Sequence, residues 1–158
     1  MPQMRLDAID RKILAVVQRD GRITNQQLAD EIGLSPSPCL RRLRLLEENG
    51  VVDRYVALLD PEAVGLSVSA FVRVRLDRQD DRHLAIFEEA VADLPEVMEC
   101  YLMTGDSDYQ LRVLVASLVD YEEFLRTKLS KIEGVGVVTT SFALRPIVYK
   151  TALPISRD

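Results

Sequence analysis

Three arginines crowd one short stretch of this 158-residue chain: Arg41, Arg42 and Arg44, within LSPSPCLRRLRLLEENG. No Asp or Glu stands between Glu31 and Glu47 to neutralise them. Guanidinium groups gathered in this way suit double-stranded DNA, because they stay charged and donate several hydrogen bonds in a rigid fork. A second place suited to chemistry is Gly105-Asp106-Ser107-Asp108. There a glycine lets a ligand carboxylate approach backbone N–H groups, and Asp106 or Asp108 is placed to pair with an ammonium. The same residues also serve simply as a turn closing a hairpin. A nucleophile or a metal site is harder to assemble. Cys39 and Cys100 lie far apart without a C-x-x-C spacing, and His83 is the single histidine, so neither a zinc set nor a Cys–His pair is offered. Both cysteines sit in apolar patterns that predict core positions. His83, beside Asp80, Asp81 and Arg82, reads as a solvated residue at a helix start. The expectation is therefore no catalytic residue, no metal and no cofactor.

The arginines need a helix to present them, and the flanking residues supply one. Thr24 and Gln27 form a T-x-x-Q capping box at the start of a short helix. Leu28 and Ile32 sit one turn apart on its inner side, and Gly33 suits the positive φ that ends it. Ser35 is the next N-cap candidate, with Pro36 at the first helical position and Pro38 still in the first turn. Leu40, Leu43 and Leu46 then define an inner face, while Ser37, Arg41, Arg44 and Glu48 recur at i, i+4, i+7 and i+11 and point outward. Helix, tight turn, helix with a basic outer face is the helix-turn-helix layout, whose second helix enters a major groove. A helix capped by Asp7, lined by Ile9, Ile13, Val16 and Val17 and stopped at Asp20-Gly21, completes a three-helix module.

Charge is distributed in keeping with this. The chain carries a net −5. Residues 1–60 hold nine basic and nine acidic groups, leaving eleven basic and sixteen acidic for residues 61–158. A neutral module with one concentrated basic helix binds phosphate locally, and several copies acting together strengthen what one copy binds weakly. No run reaches the roughly 18 apolar residues of a membrane span, and the opening residues lack a secretory h-region, so the expected location is the cytoplasm with no membrane partner.

After Gly50 the pattern changes. VVDRYVALL (51–59) reads as a strand, and Asp60-Pro61 marks a boundary between a helix-turn-helix domain at 1–60 and a second domain at 61–158. Residues 67–76 alternate, with Val68, Ala70, Val72, Val74 and Leu76 on one face and Ser69, Phe71, Arg73 and Arg75 on the other. Leu84, Phe87, Val91 and Leu94 follow at helical spacing. Strands at 97–104 and 109–116 flank the glycine–aspartate loop, a helix covers 118–132, and a last strand runs over 135–149 with Pro146 at an edge or bulge. The order β-α-β-β-α-β predicts a ferredoxin-like domain within an α+β protein, both helices on one face of an antiparallel sheet. The bare face, with Phe71, is then an association surface, most simply for a homodimer.

With both halves in place, the chain resembles the Lrp/AsnC family of prokaryotic transcription regulators. The likeness rests on LDAIDRKIL (6–14), LSPSPCLRRLRLLEENGVV (34–52), TGDSDY (104–109) and YKTALP (149–154), and covers nearly the whole chain. It implies dimers that assemble into octamers, DNA binding and bending, and a response to small effectors, usually amino acids. It maps Ser35, Ser37, Arg41, Arg42 and Arg44 to the recognition helix, and Thr104, Gly105, Asp106, Asp108 and Tyr109 to the effector loop. The family's effector pocket lies between neighbouring dimers, so Thr139, Thr140 and Ser141 on the last strand are candidates for the partner's contribution. Met103 is a candidate wall for an apolar side chain. Two alternatives stand beside an effector-modulated regulator: an amino-acid sensor acting through a protein partner, and an enzyme built on the ferredoxin-like half. Asp106 and Asp108, without an evident His, Lys or Cys partner, speak against the enzyme.

Overall fold

A computed structural model describes residues 4–155. By internal contacts the chain divides into two units. One takes the residues up to Leu58 together with those from Val148 onward; the other is Leu59–Ile147.

The first unit holds α1 (Ala8–Arg19), α2 (Asn25–Ile32) and α3 (Pro36–Glu48). Two of its helix starts are capping boxes: the side chains of Asp7 and Thr24 accept the backbone N–H groups of Asp10 and Gln27, whose side chains accept in return. Gly33 closes α2 at φ 77°, and the N–H of Leu34 reaches back to Ala29 O at 2.9 Å. Ile13, Leu14, Val17, Leu28, Ile32 and Leu46 meet in a common core. Cys39 contributes from α3 fully buried, as expected, and burial raises the pKa of its thiol, whereas Leu40, expected on the inner face, is only half-buried. The tail returns to this unit: the Gln18 side-chain amide accepts from Leu153 N–H at 2.6 Å and donates to Leu153 O at 3.3 Å, and Ile155 packs on the core. The strand expected at 51–59 is absent. No backbone partner pairs with residues 53–59 among the described residues, and a strand exists only through pairing.

The second unit runs β1 (Val68–Leu76), α4 (Asp81–Ala92), β2 (Val97–Leu102), β3 (Tyr109–Val115), α5 (Leu118–Thr127) and β4 (Val135–Phe142). All pairings are antiparallel, in the spatial order β2-β3-β1-β4, the ferredoxin-like arrangement. Ala70, Val72, Val74 and Leu76 face a core with Phe87 and Val91 of α4 and Tyr121 and Phe124 of α5. The expected helix at 118–132 ends sooner, passing into a 3-10 turn over Leu129–Lys131. The last strand stops at Phe142, so Pro146 lies beyond it and neither an edge position nor a bulge is required of it.

Two side chains lie elsewhere than expected. Cys100 is exposed on β2, an edge strand, rather than in the core. His83 is not simply solvated: its Nδ1 is 2.6 Å from Asp80 Oδ1, and its ring would lie 3.1 Å from a Cβ at Gly134, which has φ +88°. That contact with His83 pulls the Asp80 carboxyl below its ordinary range.

Candidate DNA interface and effector loop

Helix α3 is held by its inner face and displays its outer one. Ser37, Arg41, Arg44 and Glu48 are all exposed, as the spacing predicts. Ser35 stands at the N-cap with extended backbone, but its side chain makes no capping bond. The start of the helix is tied instead by Asn25, whose Nδ2 donates to Pro36 O at 2.9 Å. The hydroxyls of Ser35 and Ser37 therefore flank an open helix N-terminus.

The three arginines part company. Arg41 and Arg44 have no acidic group within ion-pair distance among the described residues. Arg42 turns inward, its Nη1 lying 2.7 Å from Asp7 Oδ2 and 2.8 Å from Asp10 Oδ1. The expectation that all three lack a neutralising acid is thus corrected: the acids come from the N-cap and first turn of α1, far back in sequence. Asp10, 4% exposed, is the buried charged residue of this unit's core. The carboxyl of Asp7 is held below its ordinary value by the Asp10 N–H first and by Arg42 second, and the same two carboxylates raise the pKa of Arg42.

This pairing carries a stability prediction. Arg42→Ala strands Asp10, at a cost on the order of 1–3 kcal/mol, tempered because solvent still reaches Arg42. Asp7, with its depressed pKa, stabilises the fold above the ordinary carboxylate range, and that contribution is lost as pH falls through the lowered value. Thermal melts should therefore show a lower midpoint for the variant at neutral pH and a shallower loss on acidification below 3.8, the unshifted value. Equal midpoints at neutral pH would mean that the pair contributes nothing.

In the second unit, β2 and β3 hold the loop 103–108, closed by the Met103 N–H on Asp108 O at 2.8 Å. Met103, Thr104, Gly105 and Asp106 are exposed, and Gly105 has φ 112°, in the region that L side chains rarely adopt. The two aspartates have separate tasks. Asp108 accepts from Leu76 N–H and Gln79 Nε2, both at 2.7 Å, and so fastens the loop beside β1. Asp106 is left as the open carboxylate. Tyr109 is 1% exposed: its ring packs tilted against Phe87 with centroids 4.5 Å apart, and its hydroxyl donates to Glu88 at 2.7 Å. Burial, then Glu88, raise the pKa of its hydroxyl well above the ordinary phenol value.

The three hydroxyl residues of β4 do not share a face. Thr139 and Ser141 pair in register with Arg73 and Phe71 on the open side of the sheet. Thr140 lies on the helix side, hydrogen-bonded to Tyr121. Gln79 and Glu88, which anchor the loop and the residue after it, had no sequence signal; each looks like any polar residue near a helix until the fold brings it to its partner.

Comparison with known proteins agrees with this division. Residues 6–53 match the model of a winged helix-turn-helix DNA-binding domain, and residues 69–153 match the Lrp/AsnC ligand binding domain. The chain is 45% identical over 150 residues to the Bkd operon transcriptional regulator of Pseudomonas aeruginosa, covering 95% of this chain and 98% of that one. It is 38% identical over 154 residues to the leucine-responsive regulatory protein of Escherichia coli, covering 98% and 94%. A transcriptional regulator of Neisseria meningitidis, solved as a complex with L-methionine, superposes with a TM-score of 0.92 at 41% identity, covering 95% of this chain and 97% of that one.

Proposed function

This chain belongs to the Lrp/AsnC family of DNA-binding transcriptional regulators, and from that premise we propose which of its residues read DNA and which sense the effector. Arg41 and Arg44, with Ser35 and Ser37, meet the DNA; Arg42 positions the helix that carries them. The observation behind this reading is that Arg41 and Arg44 stand exposed without an acidic partner among the described residues, while Arg42 is spent on Asp7 and Asp10. Residues 1–60 serve DNA, and residues 61–158 serve effector binding and assembly, with the tail docked back on the helical unit. The effector is an amino acid. Its carboxylate approaches the backbone at Gly105, its ammonium pairs with Asp106, and Met103 and Thr104 flank it. Asp108 and Tyr109 hold the loop rather than the ligand. Thr139 and Ser141 stand on the open sheet face, through which a homodimer forms; dimers then assemble further, to an octamer by family likeness. The reading is regulation rather than catalysis, in the cytoplasm.

Gel-shift titration across salt concentrations tests the DNA assignment. Arg41→Ala and Arg44→Ala should each weaken operator binding without altering assembly. A phosphate-contacting arginine lowers the salt slope by about one unit, whereas a base-reading one relaxes sequence preference by about 1–3 kcal/mol. If both variants bind as tightly as the parent, α3 does not read DNA through this face.

A further inference from the structure

Asn25 is the first residue of α2, and Pro36, eleven positions on, is the first residue of α3. The bond from Asn25 Nδ2 to Pro36 O therefore bridges the two helix starts across the turn. Only an N–H can face a carbonyl, which fixes the amide's orientation and turns its oxygen the other way. That oxygen, Oδ1, is shut off from solvent and has no hydrogen-bond partner among the described residues. A buried amide oxygen left unpaired is destabilising. Pro36 O, for its part, opens the helical ladder as acceptor of the Leu40 N–H, so it does not need Asn25 for a partner. Leucine has the same branched shape without either polar atom. Fold stability does not account for an amide here.

The aim of α3 does. Its first turn has few other restraints: Ser35 makes no capping bond, Pro36 and Pro38 carry no N–H, and Ser35, Pro36 and Ser37 are exposed. The first fully buried side chain of the helix is Cys39. A helix anchored at Cys39 and free at its start can pivot there, and the tie at Pro36 O removes that freedom. Ser37 and Arg41 lie on either side of Cys39, so a pivot displaces both against the bases. The two kinds of DNA contact respond unequally. Attraction to phosphate acts through charge and tolerates a small displacement, whereas a hydrogen bond to a base edge needs donor and acceptor aligned.

We infer that Asn25 is a positioning residue for sequence recognition. Through Pro36 O it fixes the pitch of α3 against α2, and so sets the discrimination between operator and other DNA without touching a base. This rests on the reading that α3 meets DNA through Arg41 and Arg44.

Duplexes selected from a random library by the full parent chain, and scrambled versions of them, are the probes. Gel-shift titration gives the ratio of the two affinities. Partial unfolding lowers both affinities by the same factor, so a merely structural defect leaves the ratio unchanged. Asn25→Leu should lower the ratio about tenfold through weaker operator binding, with scrambled-DNA affinity and salt slope at parent values and the thermal midpoint not lowered. Asn25→Ala, which cannot clash, should lower the ratio likewise and carries the test if the leucine variant does not fold. A selection that yields no preferred sequence, a parent-like ratio, or equal losses on both duplexes overturns the assignment. If Arg41→Ala and Arg44→Ala bind the operator like the parent, the reading of α3 fails and this inference with it. If those two weaken binding while the Asn25 variants keep the parent ratio, this inference alone fails.

Discussion

Gly105→Val is expected to abolish binding of the amino-acid effector while leaving the DNA affinity of isolated dimers unchanged. At φ 112° a β-branched residue is strained, so the loop must rearrange and take its backbone N–H groups with it. Among the described residues, its two chain neighbours apart, nothing lies within 4 Å of a Cβ at this position, so the added side chain intrudes on the space a ligand needs rather than on the fold. Asp106→Ala separates the ammonium contact, with an expected loss of about 1.5–3 kcal/mol in affinity. Asp108→Ala should act differently. It removes the acceptor for Leu76 N–H and Gln79, so the loop loosens and the hairpin end loses stability along with ligand affinity. Because α3 lies in the other unit, what changes in all three is the influence of the effector on assembly and DNA binding, which requires differential affinity between two states. Calorimetry with a panel of amino acids, methionine and leucine among them, provides the measurement. Parent-like affinity in Gly105→Val and Asp106→Ala together would place the pocket elsewhere.

The second large effect concerns assembly. The open face of the sheet presents Phe71, 40% exposed, with Tyr101 and Val137 beside Arg73, Arg75 and the Arg112–Glu99 ion pair. If two copies meet through this face, Phe71→Asp buries a charge, and the dissociation constant should rise about 100–1,000-fold, corresponding to about 3–4 kcal/mol. Phe71 pairs in register with Arg112, which gives an aspartate a potential partner. Phe71→Arg removes that escape by adding a like charge to an arginine-rich surface, and should dissociate the assembly at least as far. Sedimentation velocity reads both variants. A native-sized assembly in Phe71→Arg would exclude this face as the dimer contact.

What could be read along the chain was whatever neighbours in sequence decide. The cap at Asp7 and the capping box at Thr24 act over three residues, the turn at Gly33 needs only its own φ, and the alternation over Val68–Leu76 states which side chains point inward. From such local signals came the helix-turn-helix, the β-α-β-β-α-β order, the outward face of Ser37, Arg41 and Arg44, and the exposed loop at Gly105. Partnerships across long stretches of chain carried no such signal. Arg42 looked like its neighbours until α1 brought Asp7 and Asp10 to it from 35 and 32 residues away. Asp106 and Asp108 looked equivalent until Leu76 and Gln79 claimed one of them. Thr139, Thr140 and Ser141 looked like a cluster until the pleat of β4 sent Thr140 to the side opposite its neighbours. Residues 51–59 had the composition of a strand but no pairing partner among the described residues. Periodicity encodes which face a residue takes; which group waits across that face is decided when distant segments pack, and that step separated the arginines offered to DNA from the one that holds the fold.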